Sequence, residues 1–319
     1  MTIAFGIVAL YFFAGSVPEA EEIHWGVNFS KRHTQNLRLD WKAVYTALLD
    51  DLKAKKLKVS FDWDEIEPER GVFSFADADW QVAEAEKRGA QVTAVIGMKT
   101  MRWPECHVPS WAKDLSKQEQ QKAVLELLEA VALRYKDSAA IWAWQVENEP
   151  LFRFGNCPWI DRKFFEKEVA LVKSVDANRP IVASDSGELS FWIQAGSLGD
   201  IVSVTLYRKV WVHEINRYVT YPLPAISYGR KAQIIKTLFN TEVIVGELQA
   251  EPWGPGKPLY DTTIAEQNAA FDLAQFQKNI IFAKQTGISE FYLWGAEWWY
   301  WRKEAASDPA FWQEAQKLF

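Results

Sequence analysis

The sequence is poor in metal-binding residues and has no excess of positive charge. Its 319 residues include only two cysteines and four scattered histidines, and no C-x-x-C or H-x-x-x-H spacing occurs. This scarcity argues against a structural zinc site, because such sites use closely spaced pairs of these residues. The 42 acidic residues outnumber the 36 basic ones, giving a net charge of -6 with no lysine- or arginine-rich run. This balance argues against a nucleic-acid partner, since nucleic-acid-binding proteins usually carry a basic patch.

Apolar runs long enough to span a membrane are also missing. The N-terminal run Thr2–Val17 has 16 residues, whereas a helix that spans a bilayer needs about 20. The run is typical of the apolar core of a secretory signal, with small residues Ala14 and Ser16 at a candidate cleavage site. A buried first strand is the alternative. We therefore predict a signal peptide or N-terminal membrane anchor over residues 1–20, with membrane attachment through this segment only. The expected location is secreted, periplasmic or at the cell surface.

Aromatic residues, by contrast, are abundant. The chain has 17 tryptophans, 10 tyrosines and 19 phenylalanines, together 14% of its residues. So many tryptophans indicate either a very large core or a surface on which flat ligands stack.

Short apolar segments alternate with amphipathic ones along the chain, which predicts alternating strands and helices. Several of the apolar segments are apolar nearly throughout, as expected for parallel strands that are buried on both faces. Eight strands are predicted, at Ile23–Ser30, Leu57–Trp63, Gln91–Met98, Ala140–Glu147, Pro180–Ser186, Asp200–Tyr207, Glu242–Leu248 and Ser289–Gly295.

Helix start signals lie between the predicted strands. Ser116 with Glu119 and Thr263 with Glu266 form capping boxes, and the helix after the second box is predicted to continue to Gly287. Eight strand–helix units in one chain of this length predict a single-domain (β/α)8 TIM barrel over residues 21–319. A doubly wound sheet is the alternative, but the turn after the first strand lacks the glycine-rich phosphate loop of such folds.

Two of the predicted strands end in glutamates. The fourth runs into Asn148-Glu149-Pro150, and the seventh carries Glu247 near its end. In a TIM barrel the carboxyl ends of the strands form the reactive face. Two carboxylates on that face suit cleavage of a glycosidic bond, in which one carboxyl donates a proton and the other attacks as a carboxylate. For either glutamate alone, a solvated or ion-paired surface residue is the alternative.

This arrangement resembles the clan A glycoside hydrolases, the retaining (β/α)8 group that includes families 5, 10, 39 and 42. The Asn-Glu-Pro sequence after strand four is similar to the signature of that clan. The stretch WDEIEPERGVF at residues 63–73 is also similar to the clan's segment after strand two. The resemblance covers most of residues 23–300.

The resemblance implies a role for each residue at these strand ends. Glu149 corresponds to the acid/base and Glu247 to the nucleophile. Tyr207, at the end of strand six, corresponds to the tyrosine that holds the nucleophile. Trp294 corresponds to the floor of the sugar site, and Asn148 to the residue that contacts the sugar 2-hydroxyl.

Some positions depart from the pattern of the clan. Many members carry an arginine near the end of strand two that supports the nucleophile. Here Lys58 or another cation provides this support, or the support is absent. Gly246 precedes the predicted nucleophile where threonine is frequent. Glu147, Glu251 and Glu297 are further carboxylates at this face, and Glu147 is the main rival for the acid role.

The loops after the strands supply further candidate residues. The expected substrate-binding residues there are Lys99, Arg102, Trp103, Trp253 and Trp298. An ion pair with Glu147 or Asp185 is the alternative for the two loop cations. Cys106 and Cys157 lie in adjacent loops and are predicted to form a disulfide, with two buried thiols as the alternative. We expect no metal and no cofactor.

The predicted function is a retaining β-glycoside hydrolase that cleaves β-linked oligo- or polysaccharides by double displacement. An exo-acting β-glycosidase of the same clan is one alternative, and a non-catalytic carbohydrate-binding barrel is another. Eleven of the 17 tryptophans fall at strand ends or in the following loops. We interpret these eleven as a surface for the apolar faces of sugar rings. The expected partner is a carbohydrate, and the expected state is a monomer.

Overall fold

Eight parallel strands close into a barrel in the computed structural model, which describes residues 10–254 and 256–319. The strands are β1 (His24–Phe29), β2 (Lys56–Ser60), β3 (Gln91–Ile96), β4 (Ile141–Val146), β5 (Ile181–Asp185), β6 (Ile201–Leu206), β7 (Lys209–Val212), β8 (Arg217–Thr220), β9 (Glu242–Gln249) and β10 (Glu290–Trp294). Around the barrel the order is β1-β10-β9-β6-β5-β4-β3-β2, and β7–β8 form a separate antiparallel hairpin. The seventh and eighth barrel strands are therefore β9 and β10. The predicted (β/α)8 class is confirmed.

The barrel strands form where the apolar segments predict them. Most of their residues are buried, because one face lines the barrel interior and the other is covered by helices. The largest deviation is at the second strand, which ends at Ser60 rather than Trp63. Trp63 instead begins a one-turn helix at the barrel mouth.

Helices follow the strands and cover the outside of the barrel. They are α1 (Lys31–Asn36), α2 (Trp41–Asp50), α3 (Trp63–Ile66), α4 (Ala76–Lys87), α5 (Lys117–Tyr135), α6 (Arg162–Val175), α7 (Ile193–Gly196), α8 (Ala225–Phe239), α9 (Ile264–Ala270), α10 (Leu273–Lys284), α11 (Ala296–Ala305) and α12 (Ala310–Gln316).

The two predicted capping boxes are present, at the starts of α5 and α9. The prediction of one continuous helix from Thr263 to Gly287 is wrong. The segment breaks at Phe271, which has extended backbone angles, and Asp272 then caps α10 by accepting the backbone N–H of Gln275. An aspartate at this position competes with the continuous helix by offering its side chain as a new cap.

The predicted N-terminal segment lies partly outside the described residues, since the structure describes none of residues 1–9. Residues 10–13 form a helical turn, and the Phe12 carbonyl accepts a hydrogen bond of 2.7 Å from the Ser227 hydroxyl of α8. Val17 is buried and lies against Gly229 and Gly287. Within the described ranges, no helix combines the length and the apolar character needed to cross a membrane.

Much of the tryptophan excess belongs to the core, which corrects its interpretation as a sugar-binding surface. The fully buried tryptophans are Trp63, Trp144, Trp192, Trp298, Trp299 and Trp312. Four of these, Trp63, Trp192, Trp298 and Trp299, were among the eleven assigned to strand ends and loops. The Trp299 indole donates to the Ala250 carbonyl, and the Trp192 indole donates to the Ser186 carbonyl. These rings pack between the barrel and its helices, where their polar edges find partners inside the protein.

Candidate active site

Glu149 and Glu247 both lie at the carboxyl ends of barrel strands, and both are buried. Glu149 follows β4 and is 8% exposed, and Glu247 lies within β9 and is 5% exposed. Glu147 and Glu149 adopt left-handed backbone angles, with φ of 59° and 43°. This conformation is uncommon for residues with a side chain and is concentrated at functional sites. The Glu149 N–H donates to the Ser184 hydroxyl of β5 at 2.7 Å, which fixes the turn against its neighbouring strand.

Glu247 is held at both carboxylate oxygens. The Lys58 ammonium donates to Oε1 at 3.1 Å, and the Tyr207 hydroxyl donates to Oε2 at 2.9 Å. Lys58 is itself buried, so the ion pair is shielded from water. Lys58 is therefore the cation that contacts Glu247, in place of the arginine that many clan members carry near the end of strand two. Two charge-assisted hydrogen bonds hold the Glu247 carboxylate in a fixed orientation at the carboxyl end of β9.

Gly246, the second departure from the clan, has a steric cause. A Cβ atom at this position would lie 1.9 Å from the Ser203 hydroxyl oxygen of the adjacent β6. A threonine here would require the Ser203 hydroxyl to move, so glycine matches the packing that the structure shows. The glycine allows β6 and β9 to pair closely beside Glu247.

The surroundings of Glu149 favour the protonated form of its carboxyl group. Burial is the largest influence and raises the pKa of the Glu149 carboxyl well above its usual value. The nearby Glu247 charge raises this pKa further, while the Lys99 ammonium opposes the shift. A carboxyl with a raised pKa beside a carboxyl that is paired with a cation is the arrangement needed for acid-assisted bond cleavage.

Glu147, the main rival for the acid role, points its carboxylate at the loop after β3. It accepts the backbone N–H groups of Met98 at 2.7 Å and Lys99 at 2.5 Å. A Cβ atom on Gly97, which has φ of 123°, would lie 2.4 Å from this carboxylate. Burial and the Glu147 charge raise the pKa of Glu168 of α6 well above its usual value. These contacts give Glu147 a role in joining two loops.

Lys99 and Arg102 have protein partners other than the predicted Glu147 and Asp185 carboxylates. The Lys99 ammonium donates to the carbonyls of Glu149 at 2.9 Å and Phe152 at 3.0 Å, which supports the loop after β4. Arg102 instead forms ion pairs with two carboxylates beyond β9 and β10, Glu251 and Glu297. The ion-pair alternative for Arg102 is therefore present, with different partners.

Two of the predicted aromatic residues lie against Tyr207, the partner of Glu247, and a third is exposed. Trp294 is buried next to Tyr207, and the Arg102 guanidinium lies 4.0 Å from the centre of its ring. Trp253 packs edge-on to Tyr207, with ring centres 4.9 Å apart. Trp103 is 60% exposed at the rim.

The prediction that Trp298 contacts substrate is wrong. Its side chain is fully buried beneath α11, packs against Phe311, and donates its indole N–H to Gln267. The residue follows a barrel strand in sequence, but the helix that carries it turns the ring towards the core.

Glu105 is a site residue that sequence reasoning missed. It is buried, and the Asn148 amide donates to its Oε2 at 3.5 Å. Burial, with a contribution from the Glu247 charge, raises the pKa of Glu105 to about 8. The disulfide predicted between the neighbouring Cys106 and Cys157 is present, with Cα atoms 5.1 Å apart. No local signal marks Glu105, because its position depends on the fold of an irregular hairpin.

One group of side chains has the composition of a metal site. Asp62, Asp64 and His107 place potential ligand atoms within 4.8 Å of one another. The Arg32 guanidinium already binds both aspartates, at 3.0 Å and 2.5 Å. The Thr100 hydroxyl also donates to Asp62. The group is therefore explained as an ion-pair network at the barrel rim.

Removing the Tyr207 hydroxyl is expected to reduce catalysis without unfolding the protein. A hydrogen bond to a charged group contributes about 1.5–3 kcal/mol, so Tyr207→Phe should lower kcat/KM on an aryl β-glycoside roughly 10- to 150-fold. Tyr45→Phe is the control, because it removes another buried tyrosine hydroxyl that donates to the Gln81 carbonyl outside the barrel mouth. Equal losses in the two variants would contradict the assigned role.

Comparison with known proteins agrees with this geometry. Residues 27–165 match the family model described as Glycosyl hydrolase family 10, a range that includes Glu149 and ends before Glu247. GH5_18 from Streptomyces cattleya, solved in complex with GlcNAc, has 16% identity and a TM-score of 0.60 over 86% of this chain and 71% of that chain. Native xylanase 10B from Thermotoga maritima has 15% identity and a TM-score of 0.59, over 87% and 86%. The beta-galactosidase from Rahnella sp. R3 has 12% identity and a TM-score of 0.63, over 95% of this chain and 57% of that chain. The structural matches show a shared barrel, and with the family match they confirm the resemblance to clan A.

Proposed function

We propose that this glycoside hydrolase cleaves β-linked oligo- or polysaccharides with retention of configuration, using Glu247 as nucleophile and Glu149 as acid/base. The observation that carries the proposal is the difference between the two buried glutamates. Glu247 is paired with Lys58 and Tyr207, whereas the Glu149 carboxyl forms no ion pair among the described residues and has a raised pKa. One group is suited to attack and the other to donate a proton.

In the first step an oxygen of Glu247 attacks the anomeric carbon as the bond to the leaving oxygen breaks. Glu149 gives its proton to that oxygen, so the aglycone departs as a neutral alcohol. The glycosyl ester on Glu247 carries no charge. Since the Glu247 charge contributes to the raised pKa of Glu149, that pKa falls after the ester forms.

In the second step Glu149 acts as a base. It takes a proton from a water molecule, the water oxygen attacks the anomeric carbon, and the ester bond to Glu247 breaks. Two inversions at one carbon give overall retention. Lys58 and Tyr207 stabilise the Glu247 carboxylate as it leaves, through the contacts that they make before the reaction.

The stereochemical course tests this proposal. Proton NMR spectra recorded within minutes of adding enzyme to an aryl β-glycoside should show the β-anomer of the free sugar before mutarotation produces the α-anomer. The panel should include β-xylosides, β-galactosides, β-mannosides, β-glucosides and β-N-acetylglucosaminides, since the structural matches include enzymes named for several sugars. Early appearance of the α-anomer would contradict the double displacement. A chain that binds sugars without hydrolysing any of them would favour the carbohydrate-binding alternative.

We further propose that residues 1–20 direct export and that the exported domain acts as a monomer. The Cys106–Cys157 disulfide fits an oxidising compartment. Cleavage after Ser16 would leave the buried Val17 as the first residue of the mature domain. The intact mass of the exported protein would reveal the cut, and a mass that retains residues 1–16 would favour an anchor.

A further inference from the structure

The loop after β3 forms a rigid hairpin that projects over the barrel mouth. We call residues 99–106 the β3 hairpin. Lys99 and Cys106 pair in an antiparallel bridge at its base, and the Thr100 N–H donates to the Glu105 carbonyl at 2.9 Å. The disulfide from Cys106 to Cys157 ties the base to the loop after β4.

The tip of the β3 hairpin reaches the opposite side of the barrel. Arg102 binds Glu251, which follows β9, and Glu297 in the first turn of α11, with a distance of 3.1 Å to Glu297 Oε2. All three side chains are at least nine-tenths buried. The guanidinium also covers the face of Trp294 at 4.0 Å. The third strand is thereby joined to the seventh and eighth strands across the mouth.

The position of Arg102 decides which end of a substrate it meets. Glu149 protonates the leaving oxygen, so the leaving group must lie on the β4 side of the site. The sugar whose anomeric carbon Glu247 attacks then lies towards β9 and β10, on the side of Trp294. The Arg102–Glu251–Glu297 cluster stands on this second side. A sugar chain that continued past the attacked residue would have to pass through a buried ion-pair cluster.

The loop after β4 also contacts the loops after β9 and β3 at the barrel mouth. Trp253, in the loop after β9, packs against Phe154, in the loop after β4, with ring centres 6.0 Å apart. Trp103 of the β3 hairpin adds an edge-on contact to the same phenylalanine at 6.3 Å. These contacts join the loops after β3, β4 and β9 beside Glu149 and Glu247, which are both buried. An endo-acting enzyme needs a groove that is open at both ends.

We propose that the enzyme is exo-acting and releases one neutral sugar from the non-reducing end, with Arg102, Glu251 and Glu297 forming the wall that receives the terminal residue. This inference rests on the proposed function. The wall presents the oxygen atoms of two carboxylates, which suit the hydroxyl groups of one pyranose as hydrogen-bond acceptors.

The terminal sugar is neutral because the cations of this site already have partners. Among the described residues, Lys58 is paired with Glu247, Arg102 is shared by two carboxylates, and Lys99 is bound by carbonyl oxygens. The Arg102 and His33 charges hold the pKa of Glu251 at about 2 against the effect of burial, so this carboxylate stays ionised at working pH. A uronic acid or sulfated sugar would therefore meet negative charge without a free cation.

The order of product release tests the proposal on the unmodified enzyme. Hexasaccharides of β-linked xylose, glucose, mannose and N-acetylglucosamine are digested with the enzyme, and the first products are sized by mass spectrometry. Each substrate that is cleaved is then retested with its non-reducing terminal hydroxyls blocked by a cyclic ketal or a benzyl group. Aryl β-monoglycosides are assayed in parallel to show whether the chain hydrolyses glycosides at all.

Each outcome of this experiment is decisive. A monosaccharide with a pentasaccharide as first products, and a blocked substrate cleaved at least 100-fold more slowly, would support the proposal. Di- and trisaccharides as first products, with undiminished cleavage of the blocked substrate, would overturn it and leave the hydrolase intact. No cleavage of any glycoside would overturn the proposed function and this inference with it.

Opening the wall gives a second readout. Arg102→Ala should raise KM for the aryl monoglycoside more than it lowers kcat, and should bring cleavage of the blocked hexasaccharide within 10-fold of the unblocked one. Arg134→Ala is the matched control, because it breaks an exposed arginine–aspartate pair with Asp79 on the outer helices. Should Arg102→Ala fail to fold with two unpaired carboxylates, Arg102→Ala combined with Glu251→Gln provides the same readout. An opened wall that still rejects blocked ends would contradict the assignment.

Discussion

Glu247→Ala is expected to lower kcat/KM on an aryl β-glycoside by at least about 10^4-fold, the scale seen when an enzyme loses the nucleophile of a group that acts as a unit. Glu149→Ala is expected to lower kcat by about 10^2- to 10^4-fold, the contribution of a positioned acid or base. The two variants should fail at different steps of the reaction. An aryl leaving group needs little protonation, so Glu149→Ala still forms the glycosyl ester and then hydrolyses it slowly.

Added azide separates the two roles. With Glu149→Ala, azide attacks the accumulated ester without needing a base, so the rate should recover and the product should be a β-glycosyl azide. With Glu247→Ala, azide can only replace the missing nucleophile, and the product should be an α-glycosyl azide. Glu126→Ala removes an exposed glutamate on α5 and serves as the control. An α-glycosyl azide with Glu149→Ala and a β-glycosyl azide with Glu247→Ala would show that Glu149 is the nucleophile and Glu247 the acid/base.

The pH profile should report Glu149 directly. Its pKa is raised mainly by burial and next by the Glu247 charge, and the protonated form is the active one. Activity should therefore fall as pH rises through the raised pKa, and this basic limb should be absent in Glu149→Ala. Stability follows the same sign, because burial of the ionised carboxyl costs free energy only in the folded state. Below the ordinary glutamate pKa of about 4.3, Glu149→Gln and the wild type should be similarly stable. Above the raised pKa, the Gln variant should melt at higher temperature.

Lys58→Met is expected to be the most destabilising of the conservative changes at the site. It leaves the Glu247 carboxylate buried without its cation, and breaking a buried ion pair in this way costs about 3–5 kcal/mol. Activity should also fall steeply, because the nucleophile loses the cation that holds its carboxylate at 3.1 Å and stabilises it as it leaves in the second step. Urea unfolding monitored by tryptophan fluorescence, together with kcat/KM, measures the two effects.

A double variant shows whether the loss comes from the unpaired charge. Lys58→Met combined with Glu247→Gln removes both charges at nearly constant volume, so it should recover most of the stability but none of the activity. Lys56→Met is the matched control, since Lys56 pairs at 2.6 Å with Glu290 near the start of the barrel strands, away from the mouth. A double variant as unstable as Lys58→Met would show that Lys58 acts through packing alone.

The strands and the two central glutamates could be predicted because their signals are local. Apolar segments that are buried on both faces mark the barrel strands, and the residues that follow each strand are automatically brought to one face. The turn that carries Glu149 and the strand that carries Glu247 could therefore be placed from sequence order alone. The sequence left open whether Lys58, another cation or no cation contacts Glu247, since no local pattern shows which strand residue faces that glutamate.

The remaining parts of the site depend on contacts between distant residues. The Arg102 partners are separated from it by 149 and 195 residues in sequence, and the path of the β3 hairpin decides which carboxylates it meets. Trp298 is the opposite case, in which sequence order predicts a contact with substrate that the fold does not allow. Its place after a barrel strand predicts a position near the mouth, but the rotation of α11 directs the ring to the core. Composition likewise could not tell core tryptophans from those that line a site.

The most direct measurement is to trap the covalent intermediate. A 2-deoxy-2-fluoro glycoside with an activated leaving group slows both steps by destabilising positive charge at the anomeric carbon, and the good leaving group allows the ester to accumulate. Intact mass spectrometry should then show one sugar per chain, and peptide mapping should place it on Glu247, with no label on Glu247→Ala. A label on Glu105, Glu147 or Glu149, or turnover of glycosides by a chain that never takes up the label, would contradict the assignment of Glu247 as the nucleophile.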